Sequence, residues 1–297
     1  MKLISGFFRV IMLFIALQVT AQSQDKPPAD ITIERDEIHL KGKFYVSEGT
    51  GVSPAVILLQ GSPGNETDVL GIGKQLSLAG INALTFNYSG TLKSEGKTNH
   101  QNSENDIMAA YKFLHDPVNI KRFKIDTASI ILGGWSYGGG MAMTYAIKHP
   151  EITNVFTIAG VDWGAYFEEY IRNPEFKKTT DANMTKMASL TEQIRFEKGA
   201  MPDEITKDGI IMLDSAYFLR KSAAKLVNKN ILIICGWDDV QATVDNYILP
   251  FYSALKREKA EKVEIIAFQD GHYFSKSRAE LAAAIIKWVK AVPERKK

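Results

Sequence analysis

Apolar and polar residues alternate along this chain in two rhythms. Continuous apolar runs occur at Ala55-Val56-Ile57-Leu58-Leu59, Ile81-Asn82-Ala83-Leu84-Thr85-Phe86, Ser129-Ile130-Ile131-Leu132, Val155-Phe156-Thr157-Ile158-Ala159, Ile231-Leu232-Ile233-Ile234-Cys235 and Val263-Glu264-Ile265-Ile266-Ala267-Phe268. Runs of that length predict strands, most of them buried on both faces. Between them, helical patterning appears from Val69 to Leu78, from Asn105 to Leu114, from Tyr137 to His149-Pro150 and from Ala279 to Val289. Strands and helices alternating at this interval predict an α/β fold with a mostly parallel central sheet flanked by helices. Ile31-Thr32-Ile33 and Ile38 to Val46 instead alternate residue by residue, which predicts an antiparallel hairpin at a sheet edge.

The rhythm breaks between Trp163 and Asn228. That segment is charged, carries methionines and has helical tendency without a clear buried strand. It is expected to form a helical cap inserted over the carboxyl edge of the sheet. One α/β domain should therefore span 31–297, with the cap at about 163–228 and a polar, proline-containing linker at 22–30.

The first 21 residues read as an export signal. Lys2 and Arg9 precede an apolar run from Val10 to Leu17, and Val19-Thr20-Ala21 supplies small residues for cleavage. The run is shorter than the ~20 residues a spanning helix needs, so no stable membrane span is expected in the mature protein. Cys235 is the only cysteine, which excludes an internal disulfide. Sequons at Asn65, Asn87 and Asn183 include two on loops expected at the site mouth, where a glycan would obstruct access. The expected location is a bacterial periplasm or the exterior.

Composition removes several functions. The chain has 36 Lys and Arg against 34 Asp and Glu, and two of the basic residues lie in the leader, so no electrostatic footprint suggests nucleic acid. The five histidines, at 39, 100, 115, 149 and 272, show neither H-E-x-x-H nor clustered ligand spacing, and no metal or other cofactor is expected. His39 follows the strand alternation and His149 ends a helix. Gly90 to Thr98 approaches a phosphate-binding loop but has Thr91 where glycine is required.

The stretch Ser129 to Met143 carries the chemistry. An apolar run ends in Gly134-Trp135-Ser136-Tyr137-Gly138 and passes directly into a helix, which is G-x-S-x-G between strand and helix. A sharp turn there presents the Ser136 hydroxyl free of its neighbours, and the flanking glycines remove Cβ atoms that would collide. After a later strand come Gly236-Trp237-Asp238-Asp239, and after the last strand Gln269-Asp270-Gly271-His272-Tyr273-Phe274. Ser136, Asp239 and His272 thus follow the order Ser, Asp, His that the elbow motif requires. Asp238 and Asp162 remain alternatives for the acid. An acyl transfer also needs two backbone N–H donors for the oxyanion. Tyr137 follows the nucleophile, and in Gln60-Gly61-Ser62-Pro63-Gly64 the proline has no N–H, which leaves Ser62.

With these motifs the chain resembles the α/β-hydrolase superfamily over its mature length, in particular the dienelactone-hydrolase-like and serine-aminopeptidase-like branches. Asn87 to Gly96 also resembles the family loop after the next strand. The sequence departs from the pattern twice: Gln60 replaces the usual histidine before the oxyanion glycine, and Ser136 stands where dienelactone hydrolases proper have cysteine. The resemblance implies a serine hydrolase acting on a small-molecule acyl substrate, with a carboxylic ester expected first. A peptidase of the same fold, for which Glu168 and Glu169 would hold a protonated amine, is the alternative. A non-catalytic binding protein on this scaffold is the alternative from another class.

Overall fold

In the computed structural model the described residues are 26–292, apart from 66, 191, 197–208, 210 and 215. The leader expected at 1–21 lies outside them. Eight strands form one sheet: β1 (Ala29–Arg35), β2 (Ile38–Tyr45), β3 (Ser53–Leu59), β4 (Asn82–Phe86), β5 (Ile125–Trp135), β6 (Asn154–Ile158), β7 (Asn230–Gly236) and β8 (Val263–Phe268). Their order is β1-β2-β4-β3-β5-β6-β7-β8. The two pairings made by β2 are antiparallel, and all others are parallel. The predicted hairpin is β1–β2, and it occupies the edge. Its first strand begins at Ala29, so the linker expected over 22–30 is corrected to end before that residue.

The continuous apolar runs are buried because helices cover both faces. Ile57 and Leu59 of β3 join one apolar cluster with Ile107, Met141 and Ala142, while Val56 and Leu58 join another with Ile72, Leu76, Leu281 and Ile285. Successive residues of a strand point to opposite faces, so both layers are needed. The helices are α1 (Ile72–Leu78), α2 (His100–His115), α3 (Pro117–Phe123), α4 (Tyr137–Lys148), α5 (Trp163–Arg172), α6 (Pro174–Ala188), α7 (Leu249–Arg257) and α8 (Arg278–Ala291). Several begin on caps readable from sequence. Asn99 accepts from the Asn102 N–H at α2, Asp116 caps α3 just before Pro117, and Asn173 caps α6 just before Pro174.

Between β6 and β7, α5 and α6 build the insertion, with a small cluster of Phe167, Tyr170, Met212 and Tyr217. Polar contacts tie it to the body. The Leu92 N–H donates to the Gln193 carbonyl and the Arg195 N–H to the Gly90 carbonyl. The Tyr217 hydroxyl donates to Glu104 of α2, whose carboxylate also takes the Lys148 ammonium of α4 at 2.9 Å. The parallel strands β3, β5, β6, β7 and β8 open their carboxyl ends onto one edge, where an open α/β sheet places its ligands.

Candidate active site

The turn after β5 is as sharp as the motif requires. Ser136 has φ 53° and ψ −119°, a strained conformation for a residue with a side chain. It is held by its N–H donating to the Ile158 carbonyl at 2.8 Å and by its carbonyl accepting from the Gly140 N–H at 3.1 Å. A Cβ on Gly134 would lie 2.5 Å from the Gly138 carbonyl carbon, and one on Gly138 would lie 2.5 Å from the Gln60 oxygen. Both glycines are therefore steric requirements, because the elbow packs directly on the end of β3.

His272 comes over the edge from the loop after β8. Its Nε2 is 2.9 Å from the Ser136 Oγ, and its Nδ1 is 2.8 Å from the Asp239 Oδ2. Asp239 lies on the loop after β7. Its Oδ1 accepts from the Gln241 and Ala242 N–H groups at 2.8 and 2.9 Å, which leaves Oδ2 for the imidazole. Burial pushes the Asp239 carboxyl up. The hydrogen bond and charge of His272 and the two backbone N–H groups outweigh burial and hold it below its ordinary value.

The other candidate acids are engaged elsewhere. Asp238 is exposed and accepts from the Gln269 Nε2 at 2.8 Å. Asp162 caps α5 and receives the Leu219 and Arg220 N–H groups at 3.0 and 3.1 Å. It pins the returning chain of the insertion. Of the three aspartates, Asp239 is the one that meets His272.

Two supporting groups were not singled out in the sequence. Asp270 receives the N–H groups of Gly271, Lys276 and Ser277 and the Ser277 hydroxyl at 2.8–3.0 Å, which locks the His272 loop. Trp135, the variable residue before Ser136, donates its indole N–H to the His272 carbonyl at 2.9 Å. Its ring also lies against Gly61, where a Cβ would come within 2.6 Å of the indole. Gln60, in place of the usual histidine, is buried and donates to the Asn65 Oδ1 at 3.0 Å, bracing the same loop.

Ser136, Ser62 and Tyr137 border one cavity of about 240 Å³ beneath the insertion. Its walls are largely apolar and aromatic, from Tyr88 and His100 on the body to Trp163, Tyr166, Phe167, Met184 and Met187 on the insertion. Among the described residues lining it, none is a lysine, arginine, aspartate or glutamate. Glu168 and Glu169 line a different groove, with Arg172, Arg220 and Asp245. Glu168 pairs there with Arg172 at 3.0 Å.

A parallel sheet with a serine-bearing elbow, an opposed histidine and a covered apolar cavity defines a hydrolase of the α/β type. The family described as alpha/beta hydrolase fold matches residues 54–204, and the chain belongs to it. Over 249 residues, 72% of this chain and 75% of the relative, it is 26% identical to a candidate proline iminopeptidase of Mycoplasma genitalium. Est1E from Butyrivibrio proteoclasticus superposes with TM-score 0.60 at 13% identity, covering 88% of this chain and 97% of that one. The acylaminoacyl peptidase of Pyrococcus horikoshii gives 0.61 at 16% identity, covering 93% of this chain but 43% of its own length. Among the described residues, no helix is long and apolar enough to cross a membrane.

Proposed function

We propose that the protein is an exported serine hydrolase that cleaves carboxylic esters through an acyl-enzyme. The observation that carries this reading is the pair of hydrogen bonds from Ser136 Oγ to His272 Nε2 and from His272 Nδ1 to Asp239. In acylation, Ser136 Oγ attacks the ester carbon while His272 Nε2 takes its proton. The backbone N–H groups of Ser62 and Tyr137 stabilise the oxyanion. Collapse breaks the carbon–oxygen bond, and the imidazolium returns that proton to the departing alkoxide. In deacylation, His272 takes a proton from water, the hydroxide adds to the acyl carbon, and the serine leaves with the proton restored. Asp239 holds Nδ1–H and stabilises the imidazolium in both halves.

A peptidase reading is favoured by the relative named for iminopeptidase activity. Holding a protonated amine needs a carboxylate near the nucleophile, and among the described residues the cavity wall offers none. Ester cleavage is therefore the first reading. Its test is kcat/KM for a short-chain p-nitrophenyl ester against an aminoacyl p-nitroanilide, both in wild type and in Ser136→Ala. The ester should be preferred, and both activities should be abolished by the substitution. Preference for the anilide would promote the peptidase.

The leader composition supports export. N-terminal sequencing of the exported protein should begin at or next to Gln22, and recovery of Met1 in the membrane fraction would oppose it.

A further inference from the structure

The hydrogen bonds of the site divide the space around Ser136 into two sides. The leaving-group oxygen must come within reach of His272 Nε2 to receive its proton. The alcohol part of an ester therefore lies on the His272 side. The apolar cavity contains Ser136 and both oxyanion residues; the loop after β7 reaches it with Gln241, but His272, Trp237 and Tyr273 are not among the described residues that line it. It lies on the other side of the scissile bond, where the acyl group goes.

The two sides differ in character. Around His272 the surface is open, with Trp237, Val240 and Tyr273 exposed at 54, 86 and 55%. The acyl side is walled by rings set at steep angles: Trp163 and Tyr166 at 68°, Tyr166 and Phe167 at 70°, His100 and Trp163 at 65°. A further ring slotted among these would find the offset and edge-to-face contacts that aromatic pairs prefer. Met184 and Met187, one helical turn apart on α6, face the same space with adaptable thioethers. An apolar cavity of ~150 Å³ takes benzene, so about 240 Å³ admits a ring and a short linker. The described lining residues include no lysine, arginine, aspartate or glutamate, so an ionised acyl group would lose hydration and meet only neutral polar groups among a largely apolar wall.

Resting on the ester-hydrolase reading, we infer that the enzyme selects its substrate by an uncharged arylalkanoyl acyl group bound in this cavity and tolerates a wide range of alcohols on its open side. The chemistry is the acylation and deacylation given above, with an arylalkanoate released as the second product.

The test uses two ester series with the purified enzyme. In the first the alcohol is methanol and the acyl group is acetyl, 3-phenylpropanoyl, hydrogen succinyl or 3-(trimethylammonio)propanoyl. In the second the acyl group is 3-phenylpropanoyl and the alcohol is methanol, butanol or benzyl alcohol. The expected kcat/KM for the 3-phenylpropanoyl ester exceeds that of acetyl by about 100-fold, both charged esters fall below acetyl, and the alcohol series varies by less than about tenfold. Met184→Trp, which fills the slot, should cut the ratio of 3-phenylpropanoyl to acetyl turnover at least about tenfold. Should that variant fold poorly, inhibition of wild type by 2-phenylethylboronate against methylboronate reads the same preference. A flat acyl series, a steep alcohol series or preference for a charged acyl group would overturn the inference. If those occur while Ser136→Ala is inactive, the ester-hydrolase reading stands and only the acyl assignment fails. Activity persisting in Ser136→Ala would remove the reading on which it rests.

Discussion

The indole N–H of Trp135 donates to the backbone carbonyl of His272 at 2.9 Å, so the residue before the proposed nucleophile also holds the histidine in place. The same ring rests on Gly61 next to the proposed oxyanion loop, and it packs 5.3 Å from the His272 and Tyr273 rings. One side chain thus fixes the relative position of three loops that leave different strands. Trp135→Phe keeps most of the packing and removes the donor. A net hydrogen bond of ~1 kcal/mol corresponds to roughly a fivefold fall in kcat. KM should change little, because the indole does not line the cavity. Steady-state kinetics on one ester checks both numbers, and a loss confined to KM would oppose the positioning role.

Asp239→Asn should lower kcat by about ten-thousand-fold, since the amide cannot hold the same tautomer or stabilise the imidazolium. Asp238→Asn should leave kcat within about twofold, because that side chain faces solvent and Gln269. Measuring both variants on one substrate decides between the adjacent carboxylates, and the reverse ranking would move the acid to Asp238.

Much of this was legible in the sequence because the relevant signals are local. The run Val263–Phe268 is β8 in full, and the elbow motif sits between a strand and a helix as its glycines demand. The start of α2 was hidden: its first turn, His100-Gln101-Asn102-Ser103, is polar, and only the Asn99 cap marks it. Asp116-Pro117 carries a full cap-and-proline signal for α3, yet the helix is too short to show periodicity. Trp135 and the cavity wall are different. The bond from Trp135 joins residues 137 positions apart. Trp163, Tyr166 and Phe167 occur at a helical spacing that serves a core equally well. Only the three-dimensional arrangement assigns these residues to a site.

Gly138→Ala should harm both stability and turnover. The added methyl would lie 2.5 and 2.6 Å from the Gln60 and Leu59 carbonyl oxygens, and backbone cannot rotate away as a side chain does. Overpacking of this kind costs roughly 1–3 kcal/mol, which is several degrees in Tm for a domain of this size. Thermal melting and kcat on the same preparation test it. An unchanged Tm would mean that the elbow and β3 separate easily.

Asp270 gives a pH dependence with a definite sign. Burial pushes its carboxyl up. The Lys276 N–H, the Ser277 hydroxyl and the Gly271 and Ser277 N–H groups outweigh burial and hold it below its ordinary value. The folded chain therefore binds its proton less readily than the unfolded chain does. The stabilisation is fully present above the unfolded value of about 4 and is lost as pH falls through the lower, folded value. Urea unfolding between pH 7 and 3 should show stability falling with acidification in wild type, and a shallower fall in Asp270→Asn. An identical slope in the two proteins would remove Asp270 from the account.

Ser136 is the proposed nucleophile, and His272 is the base proposed to activate it. A fluorophosphonate probe reports this directly, because it reacts with an activated serine and leaves a stable adduct. Intact mass should show one adduct per chain, and peptide mapping should place it on Ser136. Labelling should be absent in Ser136→Ala and strongly slowed in His272→Ala. A folded wild-type protein that stays unlabelled, or one labelled equally well after Ser136→Ala, would contradict the account.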